Sequence, residues 1–561
     1  MKKYIILVLT CSLFIQCIAI KSKSSNTTIK TNSTKVVIKN KTTNPKLMIG
    51  IVVDQMRYDY LVKFHNKFGE GGFKRLMNGG YHFKNIHFNY IPTYTAVGHT
   101  SIYTGTTPVN HGIISNNWYD KYAKKDIYCV DDTNYQSVGA KNGGQKSPYR
   151  MVNTTITDQL KLAQNMKGKT IGVAIKDRSS ILPAGHTANA AYWYEGKDEG
   201  KFITSSFYMK SLPKWVNDFN NSGKVNDYLN KTWNTYYNIS TYTETLPDNN
   251  PYEMIFKGKN TPTFPYNYAE LRNLNGNFSL INYSPYGNSI TTDFAIAAIE
   301  GENLGKSEFT DFLAISYSST DYIGHKFGVN AKETEDIYIR FDLELKRLLE
   351  YLDSNVGIDN YTLFLTADHA AVQVPSYLKD LKIPAGYFDG QDFKREVNSI
   401  TQQFFGANEL IENISNYQIF LNKKKINDLG LNQHTVSQKI VDEIINYKDV
   451  YKAVTAYTLQ NTSYNNGILK TLQNGYNQKR SGDVLIIPFP SVVSYPKAGT
   501  THGSGYSYDT HVPLIFYGKG IKKGESQEFH PIIDIAPTLA RFLDIENPNG
   551  TTGKPILDIF K

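Results

Sequence analysis

Three apolar runs in the chain each lead to an aspartate, and two of these aspartates have a histidine close behind. Leu47 to Val53 runs into Asp54, Phe312 to Tyr317 leads to Asp321 and His325, and Tyr361 to Leu365 leads to Asp368 and His369. A fourth segment, Thr500-Thr-His-Gly-Ser-Gly, brings His502 after the apolar run Val484 to Pro488. Carboxylate oxygen and imidazole nitrogen are donors that zinc accepts in a tetrahedral set, and a catalytic zinc keeps one position open. Three carboxylates and three histidines suffice for two such ions. Asp321 and His325, four residues apart, fall on one side of a helical turn. Asp368 and His369 are adjacent, so they point to different metals or meet one metal through a bend. Either pair alone is more often a hydrogen-bonded structural pair. Four segments in this order, each at a strand end or a glycine loop, favour one metal site assembled from distant parts of the chain.

The elements that must carry these residues are legible in the apolar pattern. Short continuous apolar runs are the mark of buried parallel strands, and ligands of open α/β sheets gather beyond the carboxyl ends of such strands. Strands are expected at 47–53, 81–88, 170–175, 312–317, 361–366 and 512–517, and clear helices at 331–353 and 533–543, where Asp534 offers a cap and Pro537 lies in the first turn. Apolar runs alternating with amphipathic stretches predict an α/β fold, a central and largely parallel sheet flanked by helices. Two intervals break the alternation. About 195–285 is rich in Tyr, Asn, Lys, Pro and Gly, and about 374–483 carries helix signals such as Val436 to Tyr447. Both separate pieces of the metal site and are expected to be insertions that cap the core.

Charge and leader composition bound the setting. The chain of 561 residues has a formal net charge of +10, which would suggest an anionic partner such as nucleic acid. Residues 1–46, however, hold nine lysines and no acid, leaving +1 for residues 47–561, so no nucleic acid partner is required. Met-Lys-Lys followed by the apolar stretch Tyr4 to Ile20 resembles a secretory signal peptide over 1–20, and 21–46 reads as a flexible tether. A membrane tether is the competing reading, through an uncleaved leader or a lipid on Cys11 or Cys17, although neither cysteine follows the small residue that a lipoprotein signal prefers. Without the leader only Cys129 remains, so no internal disulfide can form. A periplasmic or secreted monomer held together by its core and its metals is the expectation.

Asn89-Tyr-Ile-Pro-Thr-Tyr-Thr95-Ala-Val-Gly-His-Thr-Ser reads as a strand end, a proline turn and a helix opening at Thr95. A hydroxyl at a helix amino terminus beside a metal has two influences lowering its pKa, the helix dipole and the cation. Taken alone, Thr95 is an N-cap. With Asp54, Asn116, Asp321-x-x-x-His325, Asp368-His369 and His502-Gly in this order, the chain resembles the alkaline phosphatase superfamily, in the branch whose nucleophile is threonine. Ile175-Lys-Asp-Arg178, Ile181-Leu-Pro-Ala-Gly-His186, Gly112-Ile-Ile-Ser-Asn116-Asn-Trp-Tyr and Gly503-Ser-Gly-Tyr-Ser-Tyr-Asp-Thr-His-Val-Pro are similar to the phosphate-irrepressible, PafA-type alkaline phosphatases. The similarity runs from about Leu47 to the carboxyl terminus.

The resemblance implies a zinc-dependent enzyme that hydrolyses small-molecule phosphate monoesters through a phosphothreonine at Thr95. It implies one Zn2+ on Asp321, His325 and His502, and another on Asp54, Asp368, His369 and the Thr95 oxygen. Asn116, Lys176 and Arg178 would then contact the phosphoryl oxygens. The charges agree: two zinc ions, three aspartates, Lys176, Arg178 and a Thr95 alkoxide sum to +2, which matches a dianionic monoester. His99, His111, His186 and His511 are expected to fix loops or orient other groups. Aromatic clusters at 192–194 and 207–208 are core by default, with a substrate rim as the alternative.

Three rival functions remain. A nucleotide pyrophosphatase/phosphodiesterase uses similar ligands, but Lys176 and Arg178 argue for the extra charge of a monoester. A sulfatase needs Cys or Ser in a Cys/Ser-x-Pro-x-Arg context, which Thr95-Ala-Val-Gly-His lacks. A non-enzymatic surface protein is suggested only by the leader, tether and tyrosine-rich insertions. No glycine-rich P-loop motif occurs, so nucleotide-driven phosphoryl transfer has no support.

Overall fold

The computed structural model of the protein describes residues 44–560, so the expected signal peptide and most of the expected tether lie outside the described residues. Asn44 to Lys46, assigned by composition to the tether, belong to the folded domain. The Asn44 Nδ2 donates to the Leu543 carbonyl at 3.0 Å, and the Lys46 amide donates to that of Asn360 at 2.7 Å.

Eleven strands form the central sheet. In chain order they are β1 (Leu47–Val53), β2 (Tyr81–His87), β3 (Ser137–Val138), β4 (Thr170–Ala174), β5 (Ala190–Glu195), β6 (Lys201–Ser205), β7 (Asp311–Tyr317), β8 (Tyr361–Thr366), β9 (His511–Gly518), β10 (Gly524–Ser526) and β11 (His530–Pro531). Their spatial order is β10-β2-β9-β8-β1-β7-β4-β5-β6-β3, with β11 also on β2. Only β6 and β9 run against the rest. All six expected strands are present, and the expectation of a largely parallel sheet with flanking helices holds. β9 departs from the apolar-run argument: it is buried yet antiparallel, because burial on both faces makes a run continuous whatever its direction.

Register is what assembles the site. β1 lies between β7 and β8, with Val53 opposite Tyr317 and Val52 opposite Thr366, so three adjacent strands end at one level. Asp54, Asp321 and Asp368 follow those ends. β4 pairs with β7 through Ala174 and Ser316, which delivers Lys176 and Arg178 to the same edge. Every residue of β1, β7 and β8 is buried. Each fully buried Val, Leu, Ile or Phe stabilises by about 1.5–3 kcal/mol, so this is also the part of the sheet that yields least.

Five helices bear on the site or its support: α1 (Thr95–Thr104), α2 (Asp177–Ala184), α3 (Ser319–Phe327), α4 (Lys332–Leu352) and α5 (Ile535–Leu543). α4 and α5 answer to the expected helices, with two differences. The first turn of α4 is charged yet buried, because the first insertion lies over it: the Tyr266 hydroxyl donates to Glu333 and the Trp233 indole to Asp336, each at 2.5 Å. Asp534 precedes α5 but its side chain makes no cap; its Oδ1 accepts from the Lys554 amide at 2.8 Å instead.

The expected insertions are the intervals of about 195–285 and 374–483. β6 falls inside the first, as the antiparallel neighbour of β5. The other forms an antiparallel four-stranded sheet, Ile411–Ser415, Gln418–Leu421, Val484–Pro488 and Val450–Thr455 in spatial order, with a core of its own around Phe393, Val397, Ile419, Ile440 and Val484. Val484–Pro488 therefore belongs to this lobe and not to the central sheet, and His502 returns from the lobe to the site.

Candidate active site

Two groups of side chains that could hold metal ions, all buried but the half-buried His325, lie side by side at the carboxyl ends of β1, β7 and β8. Asp321, His325 and His502 form one, and Asp54, Asp368 and His369 the other, the ligand atoms within each group all lying within 4.8 Å of one another. The His369 and His502 rings stack with centroids 3.4 Å apart, joining the groups. Each histidine is oriented from behind. His325 Nδ1 lies 2.7 Å from the Thr500 carbonyl, His502 Nδ1 2.7 Å from that of Thr93, and His369 Nδ1 3.1 Å from that of Ala370. A carbonyl only accepts, so Nδ1 carries a proton in all three, and Nε2 of each is the nitrogen turned toward the group; that of His325 lies 3.1 Å from Asp321 Oδ1, which raises the His325 pKa.

The carboxylates carry the complementary signature. Asp54 Oδ1 and Asp368 Oδ2 are buried with no hydrogen-bond partner. Burial, followed by repulsion from Asp368, pushes Asp54 well above the usual carboxylate range, and burial lifts Asp368 to about 7 against the pull of Lys176. Burial also tends to raise Asp321, but His325 and Lys176 outweigh it and hold it well below its ordinary value. His502 is pushed down to about 3 by burial and by His325, and His369 falls well below its usual value for the same kind of reason. The orphaned oxygens of Asp54 and Asp368 beside the neutral His369 fit a divalent metal ion with N and O donors, and the Asp321, His325 and His502 group offers the same donor types with Asp321 held by Lys176, Gln55 and His325.

Thr95 is buried at the amino end of α1, its Oγ1 3.5 Å from His369 Nε2 and 3.5 Å from Arg178 Nη2. It is not the N-cap. Tyr94 holds that position, and the cap bond comes from Asn116, whose Oδ1 accepts from the Ala96 amide at 2.8 Å. Asn116 is thereby fixed beside Thr95. Arg178 Nη1 donates to the Tyr128 hydroxyl at 3.0 Å, which donates to Asp177 at 2.5 Å. Lys176 is buried between the two groups, Nζ 2.7 Å from Asp54 Oδ2 and 2.6 Å from Asp321 Oδ2. Burial works against its ammonium, but Asp321 and Asp54 outweigh that and raise its pKa. All ten sequence-predicted residues thus meet in one place.

Several contributors escaped sequence reasoning. Gln55 touches both groups, its backbone amide on Asp368 Oδ1 at 3.2 Å and its Nε2 on Asp321 Oδ1 at 2.6 Å, from a backbone at φ +64°. Gly324 of α3 makes that possible, since a Cβ there would lie 1.9 Å from the Gln55 Oε1. Asp509 ties down the His502 loop by accepting from the Gly503 and Ser504 amides at 3.1 and 2.8 Å. Tyr128 reaches Arg178 because the hairpin Asn117–Asp120 with Lys125–Tyr128 folds it back beside Asn116. A non-glycine residue with positive φ leaves no trace in sequence, and the Tyr128 contact spans 50 residues; the Asp509 contacts close a turn of five to six residues. His99 does orient other groups as expected, with Nδ1 2.9 Å from the Thr95 carbonyl and 3.2 Å from Asp368 Oδ2. Tyr192, Trp193 and Tyr194 are core; the aromatic rim is Tyr283, Tyr322 and Tyr495.

α1 sits so close to the β8 end that a Cβ on Gly98 would lie 2.1 Å from the Asp368 carbonyl oxygen. That neighbour is backbone and cannot swing away. Gly98→Ala is expected to destabilise the fold by about 1–3 kcal/mol in urea unfolding and to lower bound metal by displacing Asp368. Unchanged stability and metal content would show that α1 can move off the loop freely.

A family model described as type I phosphodiesterase / nucleotide pyrophosphatase matches residues 48–513. The chain is 44% identical over 518 residues, 92% of its length and 94% of the other, to alkaline phosphatase PafA of Elizabethkingia meningoseptica. The chain belongs to the alkaline phosphatase superfamily. It is also 43% identical to alkaline phosphatase PhoV of Synechococcus elongatus, over 92% of this chain and 93% of that one. A protein of Myroides odoratus named calcium-transporting ATPase is 45% identical over 93% and 96% of the two chains. A crystal structure of PafA superimposes with a TM-score of 0.89 and 44% identity, covering 92% of this chain and 99% of that one. The superfamily fold and the PafA-type resemblance drawn from the motifs are thus borne out, and no helix of the described residues is long and apolar enough to cross a membrane.

Proposed function

We propose that this protein is a zinc-dependent alkaline phosphatase that hydrolyses phosphate monoesters through a covalent phosphothreonine at Thr95. The observation that carries the reading is the convergence of Lys176, Arg178 and Thr95 on two buried Asp/His groups. Two Zn2+ ions, one in each group, would supply positive charge to the attacking and leaving oxygens of an in-line displacement. Thr95 Oγ forms the new bond to phosphorus as the bond to the ester oxygen breaks, and water then cleaves the phosphothreonine to free phosphate. The amino end of α1 and Arg178 favour the alkoxide of Thr95. Arg178 offers paired donors to a non-bridging oxygen, Lys176 adds a point charge, and Asn116 adds its amide N–H. Export to the periplasm or beyond, action as a monomer, and small phosphate monoesters as substrates complete the proposal. The names of the PafA and PhoV relatives support it.

The metal assignment is tested directly. Chelation should abolish hydrolysis of an aryl phosphate, and zinc, not magnesium alone, should restore it, because imidazole donors suit zinc. Asp321→Ala or His502→Ala should lower bound zinc from two ions toward one; an unchanged count removes that residue from the ligand set.

The diesterase reading has the family description in its favour. A comparison of monoester and diester turnover by the zinc-quantified protein decides between them. A faster diester would overturn the proposal.

A further inference from the structure

The cavity that opens from Asp321 and His325 holds about 560 Å³ and runs past Lys176 and Arg178 to an outer wall that the proposed chemistry does not use. Two lysines stand on that wall. Lys326 is half-buried, with its Nζ 3.2 Å from the Ile255 carbonyl and 4.1 Å from the centre of the Phe256 ring, so its position is fixed. Lys257 is exposed on the neighbouring strap. That strap is pinned to α3 by the Met254 amide donating to the Lys326 carbonyl at 2.9 Å. Among the described residues neither ammonium forms an ion pair with a carboxylate. Asp321, the one acid lining the cavity, is already engaged by Lys176 at 2.6 Å and His325 at 3.1 Å.

No carboxylate among the described residues thus pairs with either ammonium, and that of Lys326, whose pKa burial lowers to about 8, is met only by the Ile255 carbonyl and the Phe256 ring. A group bound through its phosphoryl end at Thr95, Lys176 and Arg178 would extend its other end toward Lys257 and Lys326. We propose that these two lysines form an anion subsite for the leaving group, so that the enzyme prefers monoesters whose leaving group carries a carboxylate or a further phosphate. This rests on the monoesterase reading above. The wall comes from the first insertion and from the end of α3, so it adds selectivity without touching the reacting atoms.

The test compares kcat/KM within two substrate pairs, 4-carboxyphenyl phosphate against 4-carbamoylphenyl phosphate and fructose 1,6-bisphosphate against fructose 6-phosphate. The proteins are zinc-loaded wild type, Lys257→Gln, Lys326→Gln and the double variant. In wild type at low salt the anionic member should be favoured about tenfold, mostly through KM. The preference should shrink as salt screens it and vanish in the double variant, with the neutral ester changed by less than about twofold and bound zinc unchanged. A preference within one pair alone identifies carboxylate or phosphate as the group read. Equal kcat/KM within both pairs in wild type, or a preference that survives in the double variant, overturns the subsite. Hydrolysis of no ester by zinc-loaded wild type overturns the monoesterase reading itself, and the subsite falls with it.

Discussion

Thr95→Ala is expected to keep its fold and its bound metal while losing about 10³-fold or more of kcat toward an aryl phosphate, because it removes the proposed nucleophile. Thr95 is buried at the first helical residue of α1, with His369 and Arg178 each 3.5 Å from its hydroxyl. Alanine removes the oxygen and preserves the helix, since the cap bond to α1 comes from Asn116 and not from Thr95. Thr95→Ser keeps the oxygen and should retain activity within about tenfold. The measurement is kcat with zinc content and circular dichroism taken on the same samples. Wild-type turnover by the alanine variant would end the assignment of Thr95.

The other large effect is on specificity. Lys176→Ala/Arg178→Ala removes two positive charges from a pocket matched to a dianion, and charged hydrogen bonds contribute about 1.5–3 kcal/mol each. Monoester kcat/KM should fall by about 10²–10⁴-fold. A diester carries one charge less and an alkoxy group where these side chains press, so its slower hydrolysis should fall much less. The structure adds a control. Lys176 Nζ lies 2.7 and 2.6 Å from Asp54 and Asp321, so zinc must be quantified in the variant before its kinetics are read. Matched aryl mono- and diesters at fixed pH and saturating zinc provide the comparison. Equal losses on both substrates would mean that the two residues support the fold or the metals, and the preference for monoesters would lose its main argument.

Sequence reasoning reached the strands that carry the site because burial on both faces leaves an unmistakable apolar run, as at Leu47 to Val53. It singled out Asp54, Asp321, His325, Asp368, His369 and His502 because Asp and His placed after such runs are costly to bury without a purpose, whereas Asn116, Lys176 and Arg178 came from the family resemblance and Thr95 from a helix start read together with it. It gave no sign of which strands lie in or beside the two expected insertions. β6, within the tyrosine-rich insertion, and Val484–Pro488, in the helix-rich one, have the same local pattern as any other apolar strand, and nothing local says which sheet a strand will join.

The residue types and their order along the chain, with the family they resemble, thus indicated the chemistry available to this protein: candidate metal ligands, a candidate nucleophile and two candidate phosphoryl-binding cations. The residue types left open how the six candidate ligands divide, and only the family resemblance implied two sets of three; the tertiary structure supplies the physical reason, β1 lying between β7 and β8 in register. It also decided the tautomers, through the backbone carbonyls of Thr93, Ala370 and Thr500 that meet each Nδ1. Gln55, Tyr128 and Asp509 entered the site the same way. The bonds of Asp509 close a turn of five to six residues, whereas those of Gln55 and Tyr128 span from tens to hundreds of residues, and pairings of that kind are fixed by packing and register, which no short stretch of sequence encodes.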